Sequence, residues 1–272
     1  MRKLILRSAL SFCLLLAVGG NAQAALTVHG PMAIDRIVTV QMIQTDDGAD
    51  FATLFGTGSQ QTEILGFIDQ IWAQAGIDIE FLSPTSYSDS FAYEGTAGSM
   101  APRPGGDLNT IQNQGALAGV NNSNPDVLDM YFVNIVPGFE LLSENSANGL
   151  AFQPGKTSAV SVGMNLLTFD SGRELIASVI AHEIAHNLGL PHIGTLENLM
   201  CGSGAPCPLD PNFMDGRTLD GERLTGAQIA TARSSSFAAA TVVPVPAAVW
   251  MFGSAIAAMF GVRQRANRGN LA

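Results

Sequence analysis

The segment "AHEIAHNLGLPH", Ala181–His192, holds three of the four histidines of a 272-residue chain. His182 and His186 are four positions apart. On an α-helix that spacing puts both side chains on one face, about 6 Å apart along the axis. Two imidazoles so placed can chelate one zinc ion. Glu183 stands beside the first of them, where a carboxylate reaches water on such an ion, the H-E-x-x-H arrangement. Gly189 accepts the positive backbone dihedral that ends a helix, and Pro191 discourages continuation. The chain then turns and can return His192 to the same ion. A plainer alternative is a helix whose histidines face solvent and need no metal. Against it, the third histidine and the glycine arrive at the spacing one ion requires, and the sole histidine outside the run is His29.

Outward from this segment the pattern alternates. The helix carrying the histidines begins near Asp170 or Ser171, either of which can cap it, and runs through Leu175 and Ile180 towards Leu188. Upstream, "IDRIVTVQMI" (Ile34–Ile43) is rich in β-branched residues and predicts a strand. Thr62–Ala75 predicts a helix, with Ile64, Leu65, Ile68, Ile71 and Trp72 at 3.6-residue spacing and Gly76 as its stop. Ile77–Leu82, Val127–Val136, Gly149–Gln153 and Ser158–Met164 predict further strands. Ser83–Asp126 is rich in Gly, Pro, Ser and Asn and predicts a long irregular segment, with a helix near Asp107–Gly119. Turn residues fill Gly194–Gly221; Leu224–Arg233 predicts a short helix capped by Thr225. Strands alternating with helices imply an α/β (α+β) fold around a mixed sheet, in one domain at 25–233.

The two ends have a different composition. Arg2, Lys3 and Arg7 precede an apolar run, Ala9–Val18, and then Ala22-Gln23-Ala24, the order of a secretory signal peptide at 1–24. Ser234–Thr241 predicts a tether. Val242–Val262 carries no charge over a length sufficient to span a bilayer, and Arg263, Arg265 and Arg268 follow it. All 23 acidic residues lie between the two ends, but only 7 of the 13 Lys and Arg, so that part carries about −16 against −10 for the whole chain. That charge repels phosphate backbones and excludes nucleic acid as a partner. Cys201 and Cys207 can close a disulfide in an oxidising compartment; free thiols and metal ligation stay open. The acidic clusters Asp46-Asp47-Gly48-Ala49-Asp50 and Asp210–Asp220 are either calcium sites or solvated turns.

The run H-E-x-x-H-x-x-G-x-x-H, with every fixed position filled, resembles the metzincin clan of zinc metallopeptidases. The resemblance covers roughly Ile34 to Arg233. It implies a twisted sheet packed on two helices, an active-site helix, and a small C-terminal subdomain with a methionine turn and a terminal helix. It implies one catalytic zinc ion on His182, His186 and His192, Glu183 as general base, and Met200 in "NLMCGS" as the methionine beneath the ligands. Met214 is the alternative methionine. Gly149–Gln153 matches the sheet edge that pairs with an extended peptide substrate. Ile193 follows the last histidine where well-known metzincin families carry Glu, Ser, Asp or Pro, so the resemblance leaves the subfamily open.

The C-terminal stretch "VPVPAAVWMFGSAIAAMFGVRQR" (Val243–Arg265) resembles the PEP-CTERM sorting signal of Gram-negative bacteria. Pro244, Val245 and Pro246 fill its Pro-x-Pro motif, with Val where Glu is usual. That resemblance implies processing by a membrane exosortase and delivery to the cell surface, the outer membrane or the extracellular matrix. A plain membrane anchor is the alternative. Together these readings point to an exported zinc endopeptidase. A surface-anchored binding or adhesion protein that keeps a zinc site without peptidase activity is the rival.

Overall fold

The computed structural model describes residues 28–94, 106–134, 149–195, 197–201 and 222–241. The expected signal peptide, the acidic cluster Asp210–Asp220, Met214, Cys207 and the segment 242–272 lie outside the described residues. No helix among the described residues is long and apolar enough to cross a membrane.

A six-stranded mixed sheet is the frame. In chain order the elements are β1 (Arg36–Asp46), α1 (Gly58–Ala73), β2 (Ile77–Ser88), α2 (Ser90–Glu94), α3 (Gly106–Ala118), β3 (Leu128–Val133), β4 (Gly149–Ala151), β5 (Thr157–Ser161), α4 (Asp170–Asn187), α5 (Gly226–Ser234) and β6 (Ala239–Ala240). A 3-10 turn, Leu166–Thr168, leads into α4. The strands lie in the order β2-β1-β3-β5-β4. The first three pairings are parallel, and β4 closes one edge antiparallel to β5.

The burial pattern explains the layers. β3 is buried at every position and reads as the continuous apolar run of a central strand covered on both faces. Its residues alternate between two clusters. Leu128, Met130 and Phe132 join Val38, Val40 and Met42 of β1, Ile64, Ile68 and Ile71 of α1, and Ile176, Ile180 and Ile184 of α4 in the main core. Tyr131 and Val133 face the other way, with Ile43, Leu108 and Ile111, where α3 packs. The sheet is therefore backed by α1 and α4 on one face, as expected, and is covered on the other by α2 and α3.

Local chemistry sets the helix ends. The Gln60 side chain accepts the Thr57 N–H at 2.7 Å and so satisfies a donor at the start of α1. Gly76 ends that helix at φ +63°, where a Cβ would lie 2.6 Å from the Ala33 carbonyl oxygen. At α4 the cap position is Phe169 rather than Asp170 or Ser171; Asp170 sits in the first turn and pairs with Arg173. Thr225 caps α5 as expected, accepting the Gln228 N–H at 3.2 Å.

Two expectations change. β2 runs six residues beyond Leu82, because β1 continues as its parallel partner as far as Asp46. The part of Ser83–Asp126 that is described is therefore largely ordered, through β2, α2 and α3. Ser234–Thr241, read as a tether, is attached: Ala239 and Ala240 pair with Ile37 and Arg36, and the Ala238 side chain is buried in the main core. Arg233 adds a bidentate ion pair to Asp35, both contacts at 2.8 Å. That bond, above all, holds the Asp35 carboxyl below its ordinary pKa.

Candidate metal centre

α4 is a core helix, buried continuously from Glu174 to Asn187. His182 and His186 project from its C-terminal half and are 2% and 7% exposed, so their rings are held by packing. Gly189 takes φ +97°, and the chain turns there as its sequence position implied. His192 returns from the exposed segment that follows. Its Nε2 lies 3.0 Å from Nε2 of His182 and 2.9 Å from Nε2 of His186. Among the described residues this triad is the one group of three ligating side chains close enough to share an ion, with all ligand atoms within 4.8 Å of one another.

The hydrogen bonds settle which nitrogens face inward as bases. His182 Nδ1 is 2.6 Å from the Leu199 carbonyl oxygen, and His186 Nδ1 is 2.7 Å from that of Leu190. A carbonyl only accepts, so each Nδ1 carries the proton and donates it. In the neutral His182 and His186 rings the Nε2 atoms are then acceptors, and both lie within 3.0 Å of His192 Nε2. Two nitrogens at about 2.0–2.1 Å from a tetrahedral ion stand roughly 3.3 Å apart, within a few tenths of an ångström of the separations found. The donor set therefore fits one zinc ion held by three neutral imidazoles. Carbonyl acceptors behind the His182 and His186 rings fix the tautomers and orientation of those two.

A turn beneath the helix supplies part of that support. Leu199 and Met200 are buried in the main core. The Leu199 carbonyl holds His182, and the Met200 carbonyl accepts the Ile193 N–H at 3.0 Å, next to His192. The turn is fixed by Asn198, whose Oδ1 accepts the Met200 N–H at 2.9 Å and whose carboxamide exchanges bonds with the Gln228 carboxamide of α5. Asn198 and Gln228 were not singled out in the sequence. A buried amide pair has no local pattern to betray it. Cys201, which follows, is disulfide-bonded.

Glu183 is 4% exposed and lies against the start of the edge strand. A Cβ placed on Gly149 would be 2.6 Å from both Cγ and Oε1 of Glu183. One turn further on, Asn187 donates from Nδ2 to the carbonyls of Phe152 and Thr157, at 3.2 and 3.0 Å. It thereby clasps the β4–β5 hairpin. From the other side Lys156 of that hairpin donates to the carbonyls of Asn122 and Asn124 and pairs with the buried Asp129 at 3.5 Å. Burial holds the Asp129 carboxyl above its ordinary pKa, opposed by the Asn122 N–H and the lysine.

The outward face of β4 follows from its ladder. Phe152 N–H donates to the Thr157 carbonyl at 3.1 Å, closing the hairpin. In an antiparallel pair such bonded positions alternate, so Leu150 turns its N–H and C=O to Ala159 while Gly149 and Ala151 present theirs outward. Among the described residues, no strand pairs with these outward donors and acceptors beside Glu183.

The acidic cluster at Asp46–Asp50 is a turn. Asp46 Oδ1 accepts the Gly48 N–H, and Asp47 Oδ1 accepts those of Ala49 and Asp50, which holds the Asp47 carboxyl below its ordinary pKa.

No protein-family model matches the chain, and no curated protein does. Among solved structures, archaemetzincin from Methanopyrus kandleri is 16% identical over 72% of this chain and 93% of its own, with a TM-score of 0.42. A zinc-dependent peptidase from Methanocorpusculum labreanum is 13% identical over 71% and 99%, with a TM-score of 0.45. Archaemetzincin from Archaeoglobus fulgidus, complexed with malonate, is 15% identical over 72% and 99%, at 0.39. At these values the likeness is distant, and the functional reading rests on the residues of this chain.

Proposed function

We propose that the chain is a zinc-dependent endopeptidase of metzincin type, with His182, His186 and His192 holding the ion and Glu183 as general base. The observation that carries the reading is the convergence of three Nε2 atoms, two of them deprotonated by their bonds to carbonyls, next to a buried carboxylate on the same helix.

Zinc in such a site supplies Lewis acidity and makes water acidic enough to attack near neutral pH. The chain's own residues supply the rest. Gly149 and Ala151 offer outward N–H and C=O groups, and an extended peptide adds to that edge as a further strand. Pairing with the backbone positions a peptide bond without reading its side chains. Glu183 takes the proton of the attacking water on its carboxylate and passes it to the leaving amine. Its near-complete burial keeps bulk water from competing for that proton.

Export by the 1–24 signal, and sorting by the 242–272 segment through an exosortase-type enzyme to a cell surface or matrix, belong to the same proposal. They rest on the sequence of those two segments.

The test is hydrolysis of an unfolded protein such as casein by the purified chain. Activity should vanish with a chelator and return on addition of zinc. Full hydrolysis by protein shown to be free of metal would exclude the reading, and a zinc-loaded chain that cleaves nothing would favour a binding protein with a zinc site.

A further inference from the structure

Glu183 and Asn187 are four residues apart on α4 and so share one helix face. That face touches the edge strand at both ends. Asn187 grips the far end of β4 through the carbonyls of Phe152 and Thr157, and the Gly155 N–H returns a bond to the Asn187 carbonyl at 3.3 Å. Glu183 meets the near end. There a Cβ on Gly149 would stand 2.6 Å from Cγ, 2.6 Å from Oε1 and 2.8 Å from Cδ of Glu183. Separations below about 3 Å are inside van der Waals contact. Three side-chain atoms of Glu183 are involved, including Cγ, so a small swing of the carboxylate alone does not relieve the overlap. Glycine inside a strand normally weakens it and marks a place where something approaches closely. Here the approaching group is the Glu183 side chain.

We infer that Gly149 is a positioning residue: the missing side chain at the first position of the edge strand is what lets the Glu183 carboxylate lie against that strand. One consequence concerns geometry. The strand proposed to bind substrate and the group proposed to move the proton are held in register by direct contact, with Asn187 fixing the strand's other end. The kinetic part of the inference rests on the peptidase reading; the contact itself does not.

The test is a double-variant cycle with Gly149→Ala and Glu183→Ala, read in two ways. The first readout is thermal unfolding of the metal-free full chain. Gly149→Ala should lower Tm in the parent chain, because the added methyl collides with Glu183. In the Glu183→Ala background it should leave Tm unchanged or raise it, since alanine in an extended segment without a clash costs nothing and reduces unfolded-state entropy. An equal Tm change in both backgrounds would overturn the contact. If Gly149→Ala alone does not fold, the doubly substituted chain should still fold, and its failure to do so would count equally against the inference.

The second readout is steady-state hydrolysis by the zinc-loaded chain. Gly149→Ala should lower kcat by about a hundredfold, the scale of an ångström's misplacement of a reacting group, with KM and zinc content near those of the parent. A variant with parental kcat would overturn the positioning role. A general weakening of the fold would instead lower zinc content and kcat together. If the parent chain binds zinc but cleaves nothing, the peptidase reading fails, while the thermal cycle still decides whether Gly149 makes room for Glu183.

Discussion

The two edges of the sheet are built differently. β2 is twelve residues long, with Asp78 and Glu80 pointing to solvent and Pro84 interrupting its backbone donors. Its ladder to β1 shifts register between Gln41 and Ile43, where the Gln41 carboxamide donates to the Ser83 carbonyl at 2.9 Å. Charge, proline and an irregularity are the devices by which an edge avoids pairing with another chain. β4 is three residues long, carries no charge, and has a buried carboxylate behind its first residue. The molecule thus protects one edge of its sheet and not the other. The long edge is blunted, and the short one, unpaired on its outer side among the described residues, lies against Glu183 of the histidine-bearing helix.

The two edges differ most testably at Ala151, whose N–H faces outward and takes no part in the ladder to β5. Ala151→Pro should raise KM for a peptide substrate about three- to tenfold, the equivalent of one lost hydrogen bond, with zinc content unchanged. The matching change on the other edge, Pro84→Thr, should leave kcat and KM as they are. If both changes shift KM alike, substrate does not pair with β4.

A smaller effect probes the frame that holds both edges, through the Asp35–Arg233 pair. Asp35 is held below its ordinary pKa in the folded chain, first by its hydrogen bond from Arg233. Its contribution is thus present above the ordinary carboxylate range and is lost as pH falls through the lowered value. Asp35→Asn should be slightly less stable than the parent at pH 7, and the gap in Tm should close as pH falls from about 4 towards 2. The carboxylate is half exposed and screened by solvent, so the difference in Tm is small. A gap that widens in acid would contradict the assignment.

The histidine triad was legible because its information is local. His182 and His186 need one helical turn, Gly189 one backbone dihedral, and His192 a short return; each is a spacing within twelve residues. The strands were legible from β-branched and apolar runs, to within a few residues at their ends. What escaped depends on partners distant in the chain. β2 outlasts its apolar stretch because β1 runs beside it. Ser234–Thr241 reads as small and polar, yet Ala239 and Ala240 find open positions on β1 some 200 residues earlier. Gly149 was read as the start of a strand; that its missing Cβ makes room for Glu183 is a fact of packing. Asn187 looks like any polar residue inside the histidine run, because its two acceptors lie on a hairpin more than 29 residues away.

The central claim is that a carboxylate on the metal-binding helix does the proton work at a three-histidine site. Its most direct test is the rate of peptide hydrolysis by Glu183→Ala, compared with the parent at equal, measured zinc content. Glu183→Ala should keep parental zinc loading and lose about a hundredfold or more in kcat, the scale of a lost general base. Parental kcat in a fully loaded Glu183→Ala chain would contradict it.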